Sequence, residues 1–256
     1  MHFLYMMILS AGMAMASAVC ASDLEKEKRW ADQVVDALLD GDALYLNDGR
    51  GEFLAIETEG VSGNGRKAAI VMHGTGVHPN WPTVIQPIRV GLTASGWHTL
   101  SIQMPVLANE AEHAEYAAIY DWVPGRIDAA TAHLRAKGFE KIVLIAHSQG
   151  ATMTAFYLSR PHSEVDGFVA IGMSAGIAGG PMDTLTHLPG VTTPTLDLYG
   201  GEDLPEVLVS VADRAAAAGR AGSDYSQQEI GGADHFFDGE ETELLDALNA
   251  WLDQRY

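Results

Sequence analysis

The chain has 256 residues, of which 47% are hydrophobic, a size and composition suited to one α/β domain with a sizeable core. It carries 34 acidic and 15 basic residues, so its formal net charge is −19 at pH 7. This charge argues against nucleic acid and anionic lipid as partners, because both are themselves densely negative.

Residues 1–21 contain no Asp, Glu, Lys or Arg, run apolar from Phe3 to Met15, and end in small residues that allow cleavage after Ala18 or Ala21. This pattern predicts a secretory signal peptide. The protein is then exported, to the periplasm or the medium, with no stable membrane insertion after cleavage. An uncleaved membrane anchor is the alternative, against which the helix-breaking Gly12 argues.

Cys20, the single cysteine of the chain, lies within the predicted signal segment. Cleavage after Ala18 or Ala21 therefore leaves no pair of cysteines for an intramolecular disulfide, even in an oxidising compartment. Lipid attachment at Cys20 is an alternative, although the preceding Ser17-Ala18-Val19 matches the required pattern weakly. We expect residues 22–256 to form a single domain whose stability comes from its core.

Apolar side chains at helical spacing over 24–39, followed by two short alternating bursts within 42–58, predict a helix and then a hairpin. Strands and helices alternate from there onward, which is typical of a mostly parallel central sheet flanked by helices. The predicted strands cover 68–72, 99–103, 141–146, 167–171, 195–199 and 226–230, and the predicted helices cover 83–95, 116–137, 151–158, 205–218 and 240–253.

The segment between Met173 and Pro194 is rich in glycine and proline and predicts a loop with at most one short turn of helix. It is too short for a large helical lid, so we expect little or no cap domain. We therefore expect a shallow, fairly open pocket, unless residues 105–116 fold over the site instead.

The pentapeptide Ala146-His147-Ser148-Gln149-Gly150 stands between an apolar strand and a helix-prone stretch. A strand, a tight turn and a helix in that order present the serine as a nucleophile, as in the Gly-x-Ser-x-Gly elbow. Alanine replaces the first glycine here, a mild departure because the position requires a small residue. Gly150 leaves room beside the strained turn.

A serine hydroxyl needs a base to take its proton and a third group to orient that base. His235, in the loop after the last predicted strand, is the candidate base. Asp203, after the preceding strand, is the candidate orienting acid, with Asp197 and Glu202 as alternatives. The order Ser148, Asp203, His235 is the order found in α/β-hydrolases.

A tetrahedral intermediate also needs hydrogen-bond donors for its oxyanion. The run His73-Gly74-Thr75-Gly76 follows a buried strand, and we assign the backbone N–H groups of Thr75 and Gln149 as the two donors. A plain turn or a phosphate-cradling loop is the alternative for this run. No Gly-Lys-Ser/Thr follows it, which argues against nucleotide binding.

Four motifs together resemble the α/β-hydrolase superfamily: HGTG at 73–76, AHSQG at 146–150, YGGED at 199–203 and GADHFF at 232–237. A closer resemblance is to a bacterial family catalogued only as a domain of unknown function, through 29–30, 53–55, 78–82 and 96–101. The resemblance covers essentially all of the predicted mature chain. It implies an α/β-hydrolase fold and an exported protein, and it supplies no substrate.

These patterns predict a serine hydrolase that cleaves a small-molecule carboxylic ester, or an amide or thioester, through an acyl-enzyme, with no cofactor. The competing hypothesis is a non-catalytic binding or envelope-assembly protein that retains the fold, because fold alone does not establish activity. No two histidines have the sequence spacing of zinc ligands together with a nearby Asp or Glu, so we predict no metal. We expect structural roles for the remaining histidines and tryptophans near the motifs and in the core, namely His73, His78, Trp81, Trp97, Trp122, His147 and Trp251. Met173 lies either in the core or in the acyl pocket.

Overall fold

The computed structural model of the protein describes residues 22–61, 66–161, 163–220, 222 and 224–256. The predicted signal peptide, with both candidate cleavage points and Cys20, lies outside the described residues and stays a prediction. None of the described helices combines the length and the apolar character that a bilayer-spanning segment requires.

Among the described residues, eight strands form one sheet: β1 (Asp42–Asn47), β2 (Glu52–Thr58), β3 (Lys67–Met72), β4 (His98–Ile102), β5 (Lys141–His147), β6 (Gly167–Ile171), β7 (Thr195–Gly200) and β8 (Tyr225–Ile230). Their spatial order is β1-β2-β4-β3-β5-β6-β7-β8. The hairpin β1–β2 is antiparallel and β2 runs antiparallel to β4, whereas every pairing from β4 to β8 is parallel. The predicted mostly parallel sheet is confirmed.

Helices cover both faces of this sheet: α1 (Leu24–Ala37), α2 (Ile85–Ala94), α3 (Val123–Ala136), α4 (Gln149–Leu158), α5 (Thr184–His187), α6 (Pro205–Leu208), α7 (Val211–Gly219) and α8 (Glu241–Asp253). Successive side chains of β3 point to opposite faces, as the pleat of a strand requires. Ile70 and Met72 join the core cluster that includes residues of α3 and α4, while Ala69 and Val71 join the cluster with α2 and α8. The site residues therefore stand on a strand platform packed from both sides.

The helix predicted over 116–137 is wrong in its first part, where a 3-10 helix spans His113–Trp122 and α3 begins at Val123. Pro124 explains the boundary. Proline lacks an N–H and has a fixed φ, so it suits the first turn of an α-helix and is disfavoured in its interior. The residue that precedes it, Val123, donates its N–H to Tyr120 O in the tighter pattern of the 3-10 turn.

The helix predicted over 205–218 is two helices, α6 and α7, with a break at Val209 and Ser210. The Ser210 hydroxyl donates to the carbonyls of Glu206, at 2.7 Å, and Val207, at 3.0 Å. The guanidinium of Arg214 also donates to Val207 O, at 2.8 Å. These side chains occupy the carbonyls that a continuous helix would use for its own N–H groups, and side-chain competition of this kind ends helices.

The connection from β6 to β7 contains α5 and a three-residue 3-10 turn, Leu188–Gly190. It is as short as predicted, and the fold has little or no cap over the sheet in the described residues. The carboxyl ends of β3, β5, β6, β7 and β8 lie at one edge, because parallel strands share their direction. Open α/β sheets place their ligand sites at this edge.

Candidate active site

Ser148 occupies a sharp turn between β5 and α4, with φ 56° and ψ −125°. A non-glycine residue with positive φ costs about 1–3 kcal/mol and persists only where the surroundings hold it. Here the Ser148 N–H donates to Ile171 O of β6 at 2.8 Å, which fixes the turn against the neighbouring strand. The structure confirms the predicted strand, turn and helix around this serine.

Two glycines bring the serine turn against the chain that follows β3. A Cβ added to Gly150 would lie 2.4 Å from His73 O, and one added to Gly74 would lie 2.8 Å from Ser148 Cβ. Because no side chain fits at either position, the turn and the HGTG loop are in direct backbone contact. Thr75 lines a cleft together with Ser148, and Gln149 is the first residue of α4, whose leading N–H groups have no acceptor within the helix.

The structure brings Ser148, His235 and Asp203 together although they are distant in the sequence. The distance from Ser148 Oγ to His235 Nε2 is 2.9 Å, and that from His235 Nδ1 to Asp203 Oδ1 is 2.6 Å. A carboxylate accepts only, so Nδ1 carries the imidazole proton and Nε2 is left to accept from the serine hydroxyl. The imidazole is thereby held in the tautomer that a general base needs.

Asp203 is buried, and its carboxylate accepts three hydrogen bonds. Beside His235, the N–H of Leu204 reaches Oδ1 at 2.7 Å and the N–H of Gly200 reaches Oδ2 at 3.2 Å. Burial opposes ionisation of this group, but the hydrogen bonds and charge of His235 and the two N–H donors outweigh it and lower the pKa of Asp203. The carboxylate is therefore charged at neutral pH.

The two alternative acids lie elsewhere. Asp197 is fully buried within β7 and pairs with Arg214, whose Nε is 2.7 Å from Oδ2. It also accepts from the hydroxyl of Tyr225 and from Gln227 Nε2. The side chain of Glu202 is exposed. Neither carboxylate contacts His235, and Asp203 alone of the three candidates does so.

A completely buried histidine fixes the HGTG loop. His73 Nδ1 lies 2.9 Å from Gly74 O and must donate to it, since a carbonyl only accepts. Its Nε2 then accepts from the N–H of Met104, at 2.9 Å, and from Gln103 Nε2, at 3.0 Å. Burial lowers the pKa of His73 to about 3, so the ring is neutral. The predicted structural role of this residue agrees with these contacts.

Behind His73 lies a buried ionic network that sequence reasoning missed. Arg126 Nη1 donates to Gln103 O at 2.9 Å, and its Nη2 contacts both carboxylate oxygens of Glu27 at 3.0 and 2.9 Å. Arg126 Nε lies 3.4 Å from Asp48 Oδ2, and Glu27 also accepts from the hydroxyl of Ser22. The network links α1 and α3 to the chain that holds the HGTG loop.

His147 supports the loop that carries the candidate base. Its Nε2 donates to His235 O at 2.9 Å, and burial lowers its pKa to about 4, so it is neutral. Gly172, directly after β6, is a further contact that sequence reasoning missed, because a Cβ there would lie 2.9 Å from His235 Cε1. A glycine directly after a predicted strand is the signal that could have found it.

Tyr120, from the 3-10 helix, holds the side chain of Gln149. The Gln149 amide donates to Tyr120 Oη at 2.7 Å, and the same oxygen lies 2.7 Å from Thr152 Oγ1. The side chain of Gln149 is thus engaged in the core, and the predicted role of its backbone N–H stays a prediction. Sequence reasoning did not identify Tyr120.

Two clefts open at Ser148 and His235, with volumes of about 210 and 250 Å³. His113 lines both clefts, so the segment 105–116 forms part of their wall. The sequence indicates this segment as the one that could cover an otherwise open pocket. Trp81, for which the sequence left open a position at the substrate entrance beside the favoured structural role, lines the second cleft. Met173 is fully buried in the core, and Met182 lines the first cleft.

The other aromatic residues and histidines have structural contacts. Trp97, Trp122 and Trp251 are buried, as expected. His78 accepts from the N–H of Asn80 at 3.2 Å and packs edge-on against two tryptophans. Within the described ranges, no three His, Cys, Asp or Glu side chains are grouped so as to hold a metal ion.

The close contact at Gly150 yields a prediction about stability. Gly150→Ala places a methyl group against His73 O, and we expect it to destabilise the fold by about 1–3 kcal/mol or to displace the HGTG loop. Gly219→Ala, in α7, is the matched control, since nothing lies within 4 Å of its added Cβ. Urea unfolding of both variants tests the difference, and equal stabilities would show that the two loops can separate freely.

The buried neutral histidine His73 predicts a pH dependence of stability. Its folded pKa of about 3 lies below the ordinary histidine value of about 6.5, so the unfolded chain binds the proton first as the pH falls. Stability should therefore decrease from about pH 6.5 towards pH 4, and His73→Asn should reduce the slope by up to about 1.4 kcal/mol per pH unit. The measurement is urea unfolding across this range. The control Gln228→Asn, at an exposed residue without a titratable group, should keep the wild-type slope, and an unchanged slope for His73→Asn would contradict the assignment.

Solved structures with similar folds are numerous. Est1E from Butyrivibrio proteoclasticus superimposes with a TM-score of 0.64 at 13% identity, covering 83% of this chain and 98% of that one. XC6422 from Xanthomonas campestris, described as an α/β serine hydrolase without a lid, gives 0.64 at 17% identity, covering 84% and 94%. A dienelactone hydrolase from Anabaena variabilis gives 0.60 at 20% identity, covering 84% and 97%. At these identities the likeness shows the fold.

Comparison with curated protein sequences finds no match. Residues 14–124 and 108–254 match a family described as protein of unknown function (DUF3530). These two segments span most of the chain, in agreement with the resemblance noted from the sequence. The chain has the α/β-hydrolase fold and belongs to the DUF3530 family.

Proposed function

We propose that the protein is a serine hydrolase that cleaves carboxylic esters through an acyl-enzyme. The observation that carries the proposal is the hydrogen-bonded series from Ser148 Oγ through His235 to Asp203, with distances of 2.9 and 2.6 Å. Hydroxyl, base and orienting acid in this geometry activate a serine for attack on a carbonyl carbon. The cleft beside the hydroxyl gives a substrate access to it.

In the first half of the reaction, Ser148 Oγ bonds to the ester carbonyl carbon while His235 Nε2 takes the hydroxyl proton. The carbonyl oxygen gains negative charge, and the backbone N–H groups of Thr75 and Gln149 are the proposed donors for it. Removing one such donor typically costs about 10²- to 10³-fold in rate. His235 then gives its proton to the departing alcohol, which leaves an ester on Ser148.

In the second half, His235 removes a proton from water, whose oxygen attacks the same carbonyl carbon. Collapse of this intermediate releases the carboxylic acid and returns the proton to Ser148 Oγ. Asp203 stays ionised throughout and stabilises the imidazolium that forms twice in the cycle. Burial opposes ionisation, but the hydrogen bond and charge of His235 and the N–H groups of Leu204 and Gly200 lower the pKa of Asp203, which suits that role.

The solved structures of similar fold support the choice of chemistry without fixing the substrate. They include an esterase, PE8, and Est1E with ferulic acid bound. Amides and thioesters react through the same steps, so only assays separate them from esters. We propose, from the uncharged apolar residues 1–21, that the reaction takes place outside the cytoplasm.

Labelling by a fluorophosphonate probe tests the nucleophile. We expect the wild-type protein to be labelled and Ser148→Ala to be unlabelled, with loss of p-nitrophenyl ester hydrolysis, because the probe requires an activated serine. Ser226→Ala, in the edge strand β8, controls for non-specific labelling and should behave as wild type. A folded wild-type protein that neither labels nor hydrolyses esters would instead indicate the non-catalytic binding protein.

Substitution of the orienting acid tests the assignment of Asp203. Asp203→Asn should lower kcat by about 10⁴-fold, because an amide can hold the imidazole in the wrong tautomer. Glu202→Gln removes the same charge one residue away, on an exposed side chain, and should change kcat less than about twofold. Similar losses in the two variants would mean that charge near the site, rather than orientation of His235, determines the rate.

A further inference from the structure

The two clefts share one rim and meet at the nucleophile. Both are lined by Ser148 and His235 and by the same three residues at their border, His113, Leu204 and Glu206. A carbonyl carbon placed at Ser148 would therefore have space on two sides. The geometry suits an ester with an organic group on each side of the bond that breaks.

Glu206 gives these clefts their charge. It is exposed at the start of α6, and its carboxylate takes part in none of the ion pairs found among the described residues. No Lys or Arg lines either cleft in the described part of the chain. Asp203, the acid that contacts the candidate base, is buried and paired with His235. The substrate thus meets an uncompensated negative charge.

The other walls are apolar or aromatic. Ile177, Met182 and Val207 line the first cleft, while Trp81 and Phe236 line the second. Phe236 is 44% exposed and Leu204 is 39% exposed, so apolar surface continues to the entrance. Aromatic faces attract organic cations as well as neutral groups, and a carboxylate beside them adds to the attraction.

We propose that Glu206 makes the enzyme selective for neutral and cationic esters and against esters that carry a second negative charge. This inference rests on the proposed function. Attack by Ser148 creates an oxyanion. A carboxylate or phosphate on the substrate would add negative charge beside Glu206, and the described lining of the clefts has no Lys or Arg to balance it. A substrate ammonium group is instead attracted to the Glu206 carboxylate.

The expected size of the effect follows from Coulomb's law. Two unit charges 4 Å apart in water interact by an energy equivalent to about a fivefold change in rate or affinity. Salt weakens such an interaction, since the Debye length is about 8 Å at physiological ionic strength. The net charge of −19 acts in the same direction over longer distances, so the local effect of Glu206 must be separated from it.

The test uses three butyrate esters of similar size. They are the cation butyrylcholine, its neutral isostere 3,3-dimethylbutyl butyrate, and the anion 3-(butyryloxy)propanoate, in which butyrate is esterified to the hydroxyl of 3-hydroxypropanoate. We expect wild-type kcat/KM to fall about fivefold from cationic to neutral and again from neutral to anionic, at pH 8 and low salt. Glu206→Gln should bring both ratios towards one. Glu243→Gln, an exposed acid on α8, makes the same change in net charge and should keep the wild-type ratios.

The outcomes separate this inference from the proposed function. Wild-type ratios near one, ratios unchanged by Glu206→Gln, or equal changes in both variants would overturn the role of Glu206 while ester hydrolysis stands. Failure of the wild-type protein to hydrolyse the neutral ester and to react with the fluorophosphonate would overturn the proposed function itself, and the inference with it.

Discussion

The site depends on one close backbone contact, between the turn that carries Ser148 and the loop that follows β3. The parallel sheet brings these two segments to the same edge, and Gly150 and Gly74 remove the side chains that would keep them apart. The serine is strained, with a positive φ, so the conformation requires support from its neighbours. The hydrogen bond from its N–H to Ile171 O supplies part of that support from the adjacent strand.

Buried polar groups hold the remaining parts of the site in place. Three histidines are fixed in one tautomer by a carbonyl or carboxylate acceptor: His73 by Gly74 O, His147 by His235 O, and His235 by Asp203. Burial keeps His73 and His147 neutral, whereas His235 donates a hydrogen bond to the ionised carboxylate of Asp203. Two of these histidines thus serve as rigid supports and His235 as a candidate base. The difference comes from their surroundings, which are a carbonyl acceptor in a buried position for the first two and a carboxylate beside the serine hydroxyl for His235.

The sequence was sufficient for the fold class and for the choice of the three candidate catalytic side chains. Ser148 and Asp203 follow the apolar strands β5 and β7, whereas His235 follows the polar edge strand β8 and was chosen from its glycine-containing loop and its place in the chain order. It was insufficient where a contact joins distant segments. Arg126 and Glu27 are 99 residues apart, and nothing local in either helix indicates their pairing. The break between α6 and α7 arises likewise from the Ser210 and Arg214 side chains, whose targets are set by tertiary packing rather than by helical periodicity.

The Arg126 network changes how the first helix should be regarded. On topology alone α1 precedes the sheet and looks dispensable, yet Glu27 supplies the carboxylate that neutralises a guanidinium almost wholly removed from solvent. Removing one partner of a buried ion pair costs about 3–5 kcal/mol, and Asp48, 3.4 Å from Arg126 Nε, is the carboxylate that would remain. A chain that begins at β1 would lack both Glu27 and the Ser22 hydroxyl that donates to it, so we regard α1 as part of the folded domain and expect its removal to destabilise the fold.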